Sequence, residues 1–423
     1  MEALDLRSDL TMARVEDLDL PEGGDWITTA RMDALGRVTD MGLPTRRDEY
    51  WKYTNPTVLT DVAPTHTVAT DNDLTTFTAL DRVRLVFVDG VFDADASDAM
   101  ALDGVTIELL EDVADTDLHW AKGLMGELET AGQNPVARPL AALNTAFSTA
   151  GLVIHATGTA AKPIEVVAQS TGADVMLHHL VKVDSGASVT LLETGSFGAR
   201  SNIVTEVSIA DTGAFHHLRL QNDQDRHSLN HMFTRLGRES TFKSFSLTAN
   251  GQMTRNECII EMNGDDAFAH VAGACLGDGD FHHDDTVFIT HDALNGESRQ
   301  VFKKVLRNGA VGVFQGKILV KAGAQKTDGY QISQSLLLDD DSQFLAKPEL
   351  EIYADDVACS HGSTSGAIDE QALFYLRSRG VPHAKAVDLL TLSFMAEAIA
   401  EIDDDVLAEA VLDHLTATLE ARG

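Results

Sequence analysis

Between Gly151 and Leu345 the chain runs through eight short segments rich in Val, Ile, Thr and Phe: IEVVAQS, SVTLLETGSF, NIVTEVSIA, FHHLRLQN, TFKSFSLTAN, ECIIEMNG, TVFITHD and KILVKAG. Gly, Asp and Asn separate them, and no segment of helical length interrupts the series. Strands that alternate with helices to build a parallel βαβ sheet are therefore ruled out, which leaves a sandwich, a barrel or a β-solenoid. So many strands in one run suit a solenoid. No hexapeptide or nonapeptide repeat occurs, so periodicity alone does not single it out.

The flanks read differently. Residues 1–80 form a helical region followed by GLPTRRDEYWKYT from Gly42 to Thr54. In that segment Trp51 and Tyr53 pack onto the core, and Arg46, Arg47, Asp48 and Glu49 form a capping and ion-pair set. Residues 81–150 are a mixed lead-in, 151–346 the strand-rich core, and 347–423 a C-terminal helical domain. There Asp369 caps a helix over DEQALFYLRSR that Gly380 and Pro382 stop. Two more helices, Ala384 to Ala400 and Asp403 to Glu420, each carry one apolar stripe, to bury within their own bundle or to offer to a partner.

Charge and cysteine usage restrict the chemistry. Acidic residues number 66 against 32 basic, a formal net charge of −34 that repels the phosphate backbone and excludes nucleic acid as a partner. With 44% hydrophobic residues the 423-residue chain can bury a large core. MEALDLRSDL has no basic segment followed by an apolar run, and no uninterrupted apolar stretch is long enough to span a bilayer, so a cytoplasmic location and no membrane contact are expected. Cys258, Cys275 and Cys359 are odd in number and far apart, with no C-x-x-C, so neither a disulfide framework nor a self-contained zinc or cluster site is encoded.

Within KPELEIYADDVACSHGSTSGAIDEQALFYLRSRG, from Lys347 to Gly380, Cys359 and His361 stand two residues apart in what reads as a polar, glycine-bounded loop. If extended, the segment sends both side chains from one face, where thiolate and imidazole suit a soft or borderline metal. The alternative is a small packed cysteine beside a hydrogen-bonded loop histidine. His282, His283, Asp284 and Asp285, with His291, also look like ligands, but neighbours on a strand face opposite ways, so His282 and His283 read as structural. His178 with His179 and His216 with His217 fail the same test. Cys258 and Cys275 lie in apolar runs and read as core, or as inward thiols able to relay sulfur. Ser363 and Ser365 lack a G-x-S-x-G elbow. Neither phosphate-binding glycine motif occurs, so there is no nucleotide site and nucleotide hydrolysis would come from another chain.

The C-terminal stretch, together with GLPTRRDEYWKYT, VRLVFVDGVF (Val83 to Phe92), GVFQGKILV (Gly312 to Val320) and AQKTDGYQISQSLLL (Ala324 to Leu338), resembles the SufD family, scaffold subunits of the SUF iron-sulfur cluster assembly machinery. CSHG stands where the sister SufB subunits show an acidic His-Glu-Ala type sequence. The resemblance spans most of the chain and implies a right-handed parallel β-helix with helical regions at both ends. It further implies a non-catalytic scaffold that pairs with a SufB-like subunit through the β-helices, or with itself when isolated. A SufC-like ATPase would dock on the C-terminal helices, over Ala384 to Leu415. A transient iron-sulfur cluster would form at the subunit interface, with His361 as ligand and Cys359 as the neighbouring candidate. Two rivals remain: a carbohydrate-active β-helix enzyme using carboxylates along an exposed groove, for which the chain lacks an export signal, and a purely structural subunit.

Overall fold

The structure is a computed structural model that describes residues 2–62, 76–170, 172, 174–221 and 226–421; residues 63–75 of the N-terminal region read as helical lie outside the described residues. Its centre is a pair of ten-stranded sheets. From Leu152–Ala156 to Ala358–Ala367 successive strands alternate between the two sheets, and within this run strands one turn apart pair in parallel. This is a parallel β-solenoid with helices at both termini. Asp174, Arg200, His227, Met253, His282, Val311 and Gln343 fall in one column of the second sheet. A turn thus takes 26 residues near its start (174 to 200) and 32 near its end (311 to 343). That drift in turn length explains why the sequence carries no strict repeat.

Both faces of each sheet are covered over most of the solenoid, as parallel sheets require, and the last strand of each sheet buries none of its residues. Leu152, Ile154, Leu177, Val181, Phe215, Phe242, Ile260, Phe302 and Phe314 fill the space between the sheets. The outer face of the first sheet, with Leu218, Phe245, Leu247 and Val305, is covered by Met395, Ile399, Val411 and Leu415 of the helices His383–Ile399 and Asp405–Ala421. The apolar stripes of those two helices are therefore spent mainly on the sheet. On the second sheet, Leu180, Val204 and Phe233 pack under Trp26, Ile27, Leu124 and Leu128.

One edge of the solenoid is a ladder of left-handed turn residues. Thr212, Glu239, Asp266, Asn295 and Lys326 all have φ between 52° and 63°. Each donates its backbone N–H to a carbonyl one turn on, at Arg238, Asp265, Leu294, Gln325 and Asp356 respectively. A β-branched residue is strained in this region, whereas asparagine tolerates it. Thr212→Asn should therefore stabilise the fold by about 1 kcal/mol, read as a higher urea midpoint at unchanged slope; a lower midpoint would contradict this account of the ladder.

The two ends of the solenoid differ. At the first, Val91–Asp93 turns back antiparallel on Val83–Val88, and Ala101–Leu102 on Val105–Leu109. At the other, Gln343–Ile352 and Ala358–Ala367, ten residues each, are the last strands of their sheets among the described residues. The strands thus run on to residue 367, through the part of 347–380 that reads as a loop. Gly, Ser and Ala give Ala358–Ala367 little strand preference, and what holds it extended is the ladder to Asp328–Leu337 plus hydroxyl bonds from Ser333 to Ser363 (3.1 Å) and Ser335 to Ser365 (2.8 Å).

The N-terminal strap Gly42–Thr54 lies across the outside of the second sheet. Trp51 is buried as expected, but its partner is Tyr50 and not the half-buried Tyr53. Asp48 accepts from the Thr45 backbone N–H at 2.6 Å and pairs with Arg7, and Glu49 pairs with Lys347 at 2.8 Å.

Candidate functional site

Cys359 and His361 sit at the open end. In the parallel register Cys359 is the neighbour of Gly329, and His361 of Gln331. A Cβ on Gly329 would lie 3.2 Å from the Cys359 sulfur and 3.3 Å from Ile318 of the opposite sheet, so both point into the gap between the sheets. Alternation turns His361 the same way, as the two-residue spacing predicts. The two side chains are not equivalent. Cys359 is half-buried beside Ile318, Val320, Ala324 and Leu350, whereas His361 is exposed at the rim.

Burial pushes the Cys359 thiol up, against a backbone hydrogen bond at Gly329 that lowers it and with Asp328 adding to the rise. It therefore rests as a thiol and would release its proton on binding a metal. The facing wall is apolar, with Phe344 and Leu350 turned inward from Gln343–Ile352. Imidazole and thiolate are donor types that suit iron, and two side chains alone would be fewer than a full ligand set requires. Among the described residues, no group of three or more His, Cys, Asp and Glu is placed to hold a metal ion.

Behind the rim the interior stays polar. Gln331 and Gln300, neighbours in one column, are fully buried, and the Gln331 amide nitrogen donates to the Gly316 carbonyl at 3.4 Å. Deeper in, the Lys304 ammonium lies 2.6 Å from His283 Nδ1 and 2.5 Å from Asp285, while His283 Nε2 meets the Thr248 hydroxyl at 3.1 Å. His282 faces outward instead, 2.9 Å from the Thr54 hydroxyl, so the adjacent pair shares no ion. Cys258 and Cys275 are both buried inside the solenoid. Burial pushes Cys258 up to about 12, and it lines a cavity of about 40 Å³ with Arg219, Asn230, Ser246 and Asp285. That is room for a water molecule or two.

Gln331 escapes the reading of the sequence. The signal was there: in YQISQSLL the small polar set Gln331, Ser333 and Ser335 alternates with Tyr330, Ile332 and Leu336, marking a strand whose polar side faces inward. Beyond the strands, the Asp369 carboxylate accepts from the N–H groups of Gln371 and Ala372, as its capping position predicts. The helix it starts, Glu370–Ser378, buries none of its residues and holds Phe374 and Tyr375 74% and 56% exposed. Among the described residues no helix is long and apolar enough to cross a membrane.

Comparison with known proteins agrees with this architecture. The family model described as "SUF system FeS cluster assembly, SufBD core domain" matches residues 166–394. The chain is 28% identical over 397 residues to the iron-sulfur cluster assembly protein SufD of Escherichia coli K12, covering 90% of each chain. It is 27% identical over 412 residues to an iron-sulfur cluster assembly SufBD family protein of Synechocystis, covering 89% of this chain and 87% of that one. The SufD of Bacillus subtilis is 26% identical over 269 residues, 62% of this chain and 61% of the relative. With the family model lying over more than half of its residues, the chain belongs to the SufBD family of the SUF system for FeS cluster assembly.

Proposed function

We propose that this chain is a non-catalytic scaffold subunit in iron-sulfur cluster assembly. It works in the cytoplasm, pairs with a SufB-like subunit through the open end of its solenoid, and meets a second copy of itself there when isolated. His361 offers a ligand to the nascent cluster at that junction, with Cys359 beside it, and the cluster is cargo that the partner's ligands help to hold. A SufC-like ATPase docks on the C-terminal helices. Since the expected stretch Ala384 to Leu415 buries much of its apolar stripe on the first sheet, Phe374 and Tyr375 are the aromatic anchors left free for it. Movement driven by that ATPase would open the junction.

One observation supports this reading above the rest: an imidazole and a thiol share the inward face of the last strand, at the end of the solenoid where both sheets stop. The test is co-expression with the SufB-like and SufC-like proteins of the same genome, with the mass of the purified complex read by light scattering. His361→Ala should leave that mass unchanged and lower iron and sulfide loading at least about tenfold, the loss expected even for a residue that only orients a metal ligand. Unchanged loading would remove His361 from the ligand set, and a lone monomer would remove the scaffold reading itself.

A further inference from the structure

We infer that Gln331 is a positioning residue for His361: its amide oxygen accepts a hydrogen bond from one imidazole nitrogen and leaves the other nitrogen bare for iron. The two residues are direct neighbours in the parallel ladder and both face the gap between the sheets. In such a register their Cβ atoms stand about 5 Å apart, within reach of two long side chains. Gln331 is fully buried, and its amide nitrogen is engaged by the Gly316 carbonyl, which fixes the orientation of the amide. Its oxygen then has no partner among the described residues. A buried carbonyl oxygen without a donor is costly, so a donor within reach will be drawn to it.

Two side chains in the column can supply that donor. Gln300, on the inner side, is enclosed between neighbouring strands and also fully buried, with both amide atoms unpartnered among the described residues. His361 is at the rim beside Gln331, where its exposed ring is free to turn an N–H towards it. The freedom to move decides for His361. An imidazole whose N–H is held by an acceptor is fixed in tautomer and in ring direction, which is how ligating histidines are generally prepared for a metal. The hydrogen bond is independent of iron; its use rests on the ligand role proposed for His361.

The test uses the isolated full chain without metal, labelled with ¹⁵N-histidine and held at pH 7.5. A long-range ¹H–¹⁵N spectrum reports the tautomer of His361, assigned by its loss in His361→Ala. In the wild type one tautomer should dominate, in Gln331→Met or Gln331→Leu the ring should relax to a free-imidazole mixture, and in Gln300→Leu the wild-type pattern should persist. The same mixture in the wild type and in both Gln331 variants, with the other histidine signals unmoved, would overturn the inference. In the co-expressed complex Gln331→Met should lower iron and sulfide loading about tenfold, and wild-type loading there would overturn the positioning role. If His361→Ala leaves loading unchanged while the tautomer remains locked, the ligand reading fails and the hydrogen bond stands.

Discussion

Lowering the pH from 7.5 to 5.5 will remove about 5 kcal/mol of folding stability, enough to unfold much of a typical domain. Burial brings His179, His231, His270 and His291 each down to about 4, against about 6.5 in an unfolded chain. The folded value lies below the unfolded one, so each group stabilises the fold fully above pH ~6.5 and loses that contribution as the pH falls towards ~4. Between those limits unfolding takes up a proton at each of the four sites, and at ~1.4 kcal/mol per proton and pH unit the combined slope approaches 5 kcal/mol per unit. The groups are spread through the molecule. His291 meets Ser298 at 2.9 Å, His231 stacks against Phe233, and His270 lies 3.2 Å from Glu401 where the C-terminal helices meet the sheet. Urea titrations at several pH values measure the slope, and His231→Gln should remove about a quarter of it. A stability that stays flat from pH 7.5 to 5.5 would refute the account.

Truncating Arg255 to alanine is the substitution expected to cost most, about 3–5 kcal/mol, because it strands buried carboxylates on one side of an ion network. Arg255 is 1% exposed, donates to Glu257 at 2.6 Å and to Asp284, and lies 4.2 Å from the centre of the Trp51 ring. Burial alone would raise the Glu257 carboxyl, but Arg255, His231 and Arg138 outweigh it and bring it down to about 2. That contribution is present above the ordinary carboxylate range near pH 4.3 and is lost only as the pH falls towards ~2, so it persists where the histidines have already failed. Asp284 is also gripped by Thr54 of the strap at 2.5 Å and by Gln315 at 3.2 Å, so its loss of Arg255 reaches the strap directly. Arg255→Ala should lower the urea midpoint and speed hydrogen exchange in the strap. Adding Asp284→Asn and Glu257→Gln should recover part of the loss, since neutral amides are less costly to leave buried. A cost below about 1 kcal/mol would mean that the network is not what fastens the strap.

Much of the solenoid is legible in the sequence because its strands are buried on both faces, and Val, Ile and Phe runs announce them. What hides is the closing turn. Ala358–Ala367 is extended because a neighbouring strand offers it ten residues of ladder, a reason that no local preference of Gly, Ser or Ala can express. The same blindness applies to Gln331: alternation marks its face, but only the register reveals that His361 stands beside it. The opposite faces of His282 and His283 follow from strand geometry alone, and the structure agrees. The C-terminal helices were readable as helices, and their destination was not, since an apolar stripe does not say whether it will meet a helix or a sheet. Tyr50 and Tyr53 are both aromatic near neighbours of Trp51 in sequence, and only the path of the strap decides that Tyr50 is the one facing inward.

The unlike ends of the solenoid have a bearing on stoichiometry. Long, straight strand edges invite further strands, and a stack open at both ends would grow into a fibre. Here the hairpin strands at Val91–Asp93 and Ala101–Leu102 blunt one end, and two ten-residue edges remain at the other. Among the described residues the long open edges lie at one end only, so an edge-to-edge contact made there would leave no second such end from which a fibre could extend.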